Sequence, residues 1–174
     1  MYIFSRTRLA RPGKMLEAAT AGVEAAQKVT EITGHDVYVW NVRFGAPIGS
    51  MMWSVRIDSQ AALFDATGKL AADSGYMEMV ASFNDHFEGP TTDNLVRVVS
   101  GAPADSPSKF VYSTQAAMAN GRYGEAVEFG TMMQEFMLGE LGHPNAFGTA
   151  VYGGFADVIW LNGADSMADI DAAQ

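Results

Sequence analysis

The sequence predicts an α+β protein built from one β-α-β-β-α-β unit written twice, the second copy incomplete. Three observations predict it. Five short matches recur in the same order about 108 residues apart. Stretches rich in β-branched and aromatic residues alternate with helix-periodic stretches. Glycine and Asp-Ser pairs punctuate both copies at corresponding places.

The matches set the frame. Tyr2-Ile3-Phe4-Ser5 pairs with Phe110-Val111-Tyr112-Ser113, Gly13-Lys14 with Gly121-Arg122, and Glu17-Ala18 with Glu125-Ala126. Gly34-His35 pairs with Gly142-His143. One residue is then lost, and Trp53 with Asp58-Ser59 pairs with Trp160 with Asp165-Ser166. Self-similarity at one period is the mark of a repeated structural unit.

The elements follow in order. Residues 2–9 read as a strand. Leu16, Ala19, Val23, Ala26, Val29 and Ile32 recur at three- and four-residue steps, which gives one apolar helix face. Gly34 suits the left-handed residue after a helix end. Residues 37–44 and 51–57 read as strands joined by the turn-rich Gly45-Ala46-Pro47-Ile48-Gly49. Asp58 or Ser59 caps a helical region running to about Phe87, which Gly68 and Gly75 are expected to break or kink. Glu88-Gly89-Pro90 is expected to stop it, and residues 95–99 to form a fourth strand. The expected organisation is a first repeat at 1–101, a Pro/Ser linker at 102–108 and a second repeat at 109–174. The second repeat runs β-α-β-β and ends in the opening turns of its last helix. It lacks most of that helix and the final strand. Either the sequence is truncated, the favoured reading, or a second chain supplies the missing elements. An open sheet edge invites self-association, so a homo-oligomer is expected.

Such a unit is ferredoxin-like: a four-stranded antiparallel sheet with both helices on one face. The order of elements, the tandem repeat and the helix exits resemble the dimeric α/β-barrel superfamily, with its NIPSNAP-like, EthD-like and antibiotic-biosynthesis-monooxygenase-like families. The stretch from Gly75-Tyr76 to Val99 looks most like the NIPSNAP-like pattern of a second helix leading into a last strand. The resemblance implies an antiparallel barrel of two sheets around a central cavity. It implies oxygenase-like or lyase-like chemistry, without a cofactor, on an apolar, aromatic or anionic small molecule. Some haem-binding barrels of this superfamily use a histidine on the second helix, where His86 falls. The haem-degrading group adds an Asn on the first strand and a Trp on the helix. Ser5, Thr7 and Tyr76 stand there instead, so no haem and no other cofactor is expected.

Composition narrows the function classes. A net charge of −9 without any Lys/Arg run argues against nucleic acid and anionic membrane as partners. No cysteine is present, which removes disulfides and thiolate chemistry. The N-terminus carries no apolar core of a signal peptide, and no apolar stretch reaches a membrane span, so a cytoplasmic protein is expected. His and carboxylate spacings match no zinc pattern, so no metal is expected.

Candidate ligand residues come from the strands. Arg6, Arg8, Arg43, Arg56 and Arg97 all fall on expected strands of the first repeat, and guanidinium groups bind carboxylate or phosphate in a bidentate way. Arg6, Arg43 and Arg56 are the candidate anion anchors. The plainer alternative is pairing with the many carboxylates. Thr114 and Ala116 replace Arg6 and Arg8 in the second repeat. If the Trp53 face packs on the helices, alternation points Arg56 the other way. Trp40 and Trp53 are the candidate apolar wall, Asn41 a polar anchor, and His86 a candidate acid or base. His35 and His143 recur after helix ends and read as structural. The rival reading is a non-catalytic interaction protein whose barrel is filled by side chains, the local methionine clusters included.

Overall fold

A computed structural model of the chain describes all residues except 103–107, 153, 155 and 174. Most of the linker expected at 102–108 therefore lies outside the described residues. The chain divides into two compact units, Met1–Asn94 and Leu95–Gln174.

The first unit comprises β1 (Tyr2–Ala10), α1 (Met15–Thr33), β2 (Val37–Asn41), β3 (Ser50–Ile57), α2 (Gln60–Ala72), α3 (Ser74–Phe83), a 3-10 turn at Asn84–His86, and the first part of β4 (Phe87–Gly101). Its strand order is β2-β3-β1-β4. β3 runs antiparallel to both neighbours, with Phe4 opposite Val55 and Val37 opposite the same Val55. The helices cover one face. There Ala10, Ala18, Met51 and Phe87 are buried together, with Ala19, Val39, Trp53 and Phe83 packed against them.

The second unit takes the rest of β4, then β5 (Phe110–Ala117), α4 (Tyr123–Leu141), β6 (Asn145–Tyr152), β7 (Asp157–Ala164) and α5 (Met167–Ala172). Its order is β4-β6-β7-β5. Phe147, Val158 and Trp160 form its apolar core, with Val99, Met118 and Met133 against them.

Local chemistry places the ends of these elements as expected. Gly34 and Gly142 close α1 and α4 at φ of 76° and 66°, each donating its N–H back to the last turn. Ser59 and Ser166 each accept a backbone N–H at a helix start, and Ser166 forms a reciprocal capping box with Asp169.

Four boundaries differ from the sequence-based reading. β2 ends at Asn41 rather than Phe44, so Arg43 lies in the β2–β3 connection and not on a strand. That connection turns through Gly45 and Gly49, both at positive φ. Gly68 sits inside an unbroken α2, because packing overrides its weak propensity. The break falls at Asp73, which ends α2 and caps α3 by accepting the Tyr76 N–H at 2.7 Å. Finally, Glu88-Gly89-Pro90 does not precede the fourth strand but lies within it. Pro90 lies before the stretch of β4 that pairs with β6, which begins at Leu95, so its missing N–H is tolerated there.

A candidate ligand face in the first unit

Trp53 decides which face of the first sheet is covered. Its indole Nε1 donates to the Gly22 carbonyl of α1 at 2.9 Å, and its ring meets Phe83 and Phe87 edge-on at 5.6 Å. Side chains alternate along a strand, so Met52, Ser54 and Arg56 project from the opposite face. Cross-strand register brings Ile3 beside Arg56, Ser5 beside Ser54, and Thr7 beside Met52. On the other flank Tyr38 lies opposite Ser54 and Trp40 opposite Met52.

These eight side chains form one surface on which polar and aromatic groups are held in place. Trp40 Nε1 donates to Ser54 Oγ at 2.8 Å, which spends the polar end of the indole and leaves its ring as a wall. The Tyr38 and Trp40 rings lie 6.4 Å apart at 51°. The Arg56 guanidinium sits over the Tyr38 ring, 5.9 Å from its centroid. All eight residues are partly exposed and none is fully buried, unlike the helix-covered face with its closed core.

The remaining sequence candidates do not join this surface. Arg6 stands opposite Trp53 and so on the helix-covered face. Its Nε and Nη2 reach both carboxylate oxygens of Asp93 at 2.8 and 2.7 Å, and this bond holds the guanidinium above its ordinary pKa. Arg8 lies on the same face. Its Nη1 donates to Asn84 Oδ1 at 2.5 Å, and its guanidinium covers the Phe83 and Phe87 rings at 5.6 and 5.0 Å. Burial first, and the Arg6 charge second, lower its pKa. Trp53 likewise belongs to the helix packing, on the side of the sheet opposite Trp40. Asn41 and Arg43 are exposed at and beyond the end of β2. His86 sits in the 3-10 turn, where its carbonyl accepts the Arg11 N–H at 2.9 Å and its Nδ1 is buried without a hydrogen-bond partner among the described residues. Arg97, in the second unit, donates to the Tyr123 hydroxyl at 3.1 Å.

Of the proposed anchors and wall, then, the structure brings together Arg56 and Trp40. Sequence reasoning missed Tyr38 and Ser54 as their companions. The signal was present: residues two apart on a strand share a face, so Tyr38 goes with Trp40 and Ser54 with Arg56. A shallow groove of about 480 Å³ beside α1, lined by Val23, Ala26, Thr30, Val37 and Val39, lies on the helix-covered side and holds Glu31 as its one ionisable group. Among the described residues no cluster of three or more His, Asp or Glu could hold a metal ion, and no helix is long and apolar enough to cross a membrane.

No protein-family model matches the sequence, and no curated protein matches it either. Solved structures do. A candidate monooxygenase from Fusobacterium nucleatum superposes with a TM-score of 0.73 over 99% of this chain and 79% of its own, at 11% identity. A candidate monooxygenase from Lactobacillus acidophilus gives 0.66 over 99% and 80%, at 12% identity. An anthrone oxidase-like protein gives 0.64 over 98% and 75%, at 13% identity. Likeness at such low identity shows the fold. The chain shares the α+β, ferredoxin-like fold of these structures, as its order of elements implied.

Proposed function

We propose that this protein binds a small aromatic or apolar molecule carrying an anionic group, on the helix-free face of its first unit. One observation carries the reading. Trp40, Tyr38, Met52 and Arg56 share a face that stays partly open, with hydroxyls of Ser5, Thr7 and Ser54 between them. Flat rings offer stacking, the methionine adapts to shape, and a guanidinium is the group best suited to a carboxylate. Convergence of a few polar groups in an apolar surface is the usual make-up of a small-molecule site.

Oxygenase-like chemistry on that ligand is the further step of this proposal. Its support is likeness of fold to the two candidate monooxygenases and the anthrone oxidase-like protein, and fold by itself does not set chemistry. The face carries no His, Asp or Glu among the eight residues named, so binding is better supported than acid–base catalysis. His86 as an acid or base would need a route from the other side of the sheet.

The reading is tested with 1-naphthoate and its neutral counterpart 1-naphthalenemethanol, by calorimetric titration of the whole chain. Arg56→Ala should weaken naphthoate about tenfold, close to 1.4 kcal/mol, and the alcohol far less. Trp40→Ala should weaken both. Arg6→Ala, on the other face, should change neither. Binding that ignores Arg56 and Trp40 but falls with Arg6→Ala would move the site to the helix-covered side and end this assignment.

A further inference from the structure

The second unit places a row of polar side chains, most of them buried, where the first unit has apolar ones. Across its sheet, Tyr112 lies opposite Asn162, and Asn162 opposite Asn145. In the first unit the same register places Phe4 opposite Val55, and Val55 opposite Val37. The helix above repeats the contrast: Gln134 of α4 stands where α1 has Ala26. Asn162 is two residues from Trp160, whose Nε1 donates to the Gly130 carbonyl of α4, so the row faces that helix. Exposure is only 2% for Asn162, 3% for Gln134 and 5% for Asn145.

Half of this row is satisfied internally. Gln134 Nε2 donates to Asn145 Oδ1 at 2.6 Å, and Asn145 Nδ2 donates to the Gln134 carbonyl at 3.1 Å. Gly101 is held against this pair, since a Cβ there would lie 2.8 Å from Gln134 Nε2. The other half is not satisfied. Among the described residues, both polar atoms of Asn162 and the hydroxyl of Tyr112 are buried without a hydrogen-bond partner. An unpaired buried amide is destabilising, and the first unit shows that the same backbone needs only Val and Phe at these positions. Maintenance of the fold does not explain the asparagine.

We propose that Asn162 and Tyr112 form a binding site for a small neutral carboxamide or lactam. The Asn162 amide offers a donor and an acceptor side by side, and a second amide complements both at once. The Tyr112 hydroxyl adds one donor or acceptor. Tyr112, Gln134, Asn145 and Asn162 carry no charge, so a charged ligand would lose its hydration without gaining a counter-ion there. This site is separate from the ligand face of the first unit and stands or falls independently of it.

The test follows the Asn162 side-chain amide by NMR in the full chain during titration with acetamide, with acetate and methylammonium as charged probes. Acetamide should shift these signals saturably while the two ions leave them unchanged. Tyr112→Phe should weaken acetamide about fivefold, the loss of one hydrogen bond. Asn162→Val, which installs the residue of the first unit, should abolish the residual thermal shift caused by acetamide; if that variant does not fold, Tyr112→Phe decides. The proposal is overturned by an unsaturable or absent acetamide response, by an equal response to acetate, or by a crystal soaked in acetamide that shows only ordered water on Asn162.

Discussion

The indole Nε1 of Trp53 donates to the carbonyl of Gly22, 2.9 Å away, and Trp160 makes the corresponding bond to Gly130 at 3.0 Å. Each bond ties a strand, β3 in one unit and β7 in the other, to the middle of that unit's long helix. In both cases a glycine lets the helix approach the ring, because a Cβ on Gly22 would lie 2.9 Å from Trp53 Cζ2 and one on Gly130 would strike the Phe147 ring. This one relationship sets which face of each sheet is covered, and with it the face left for a ligand.

Replacing either tryptophan by phenylalanine should lower stability, by about 1 kcal/mol for the lost bond plus the lost packing. Trp160→Phe should cost more than Trp53→Phe. Trp160 is buried in the core of its unit, whereas Trp53 is half-buried. Urea midpoints of the two variants check the order; equal losses would mean that the packing difference does not matter.

The two helix glycines should respond differently to alanine. Alanine gains about 1 kcal/mol in helix propensity at either position. At Gly130 the new methyl meets Phe147, which has no exposed surface, and overpacking of this kind costs about 1–3 kcal/mol. At Gly22 the clash is milder, with a Cβ 2.9 Å from Trp53 Cζ2 and 3.2 Å from Met51 Cε. Gly130→Ala should therefore lose clearly more than Gly22→Ala in thermal melts.

Arg6→Ala should have a small effect despite the good geometry of the Arg6–Asp93 pair. The two side chains are 46% and 42% exposed, and ion pairs at such sites are worth about 0.2–1 kcal/mol. The difference should shrink further in 1 M salt. A loss several times larger would indicate that Arg6 supports more than this pair.

Stability should fall at alkaline pH in part because of Tyr112. Burial raises the pKa of its hydroxyl above the ordinary tyrosine value of 10.0. The folded state thus holds the proton more tightly than the unfolded chain. The resulting stability is fully present below the unfolded pKa and is lost as pH rises through the folded one. Tyr76, also raised by burial, acts with the same sign. Tyr112→Phe should flatten the decline of the melting temperature above about pH 10, the ordinary tyrosine value. An unchanged alkaline slope would remove Tyr112 from the account.

How legible each feature was in the sequence depends on how local its cause is. Gly34, Gly142, Ser59 and Ser166 act on backbone groups within a few residues, and all four appear in the roles that their types suggest. The apolar periodicity of α1 located the helix but not its buried face: Leu16 and Val23 are exposed, and Ala18, Gly22 and Ala26 are the buried residues. Gly68 and Pro90 misled because their local preferences are weak beside the packing of α2 and the place of Pro90 before the stretch of β4 that pairs with β6. The arginines were the harder case. Alternation along β3 was visible, yet Arg6 and Arg56 proved to lie on opposite faces only once cross-strand register placed Arg6 beside Trp53.

By itself, the sequence determined the order of strands and helices, the ends of the long helices and the alternation of side chains. Those properties follow from hydrogen bonds and sterics between near neighbours in the chain. Tertiary structure alone decided that Trp40, Tyr38 and Arg56 share an open face, and that buried Asn162, Asn145 and Gln134 share a face with the Tyr112 hydroxyl. Residues far apart in sequence are brought side by side only by register and by the helix that covers the sheet. Both are properties of the whole packed unit, and no single segment carries them.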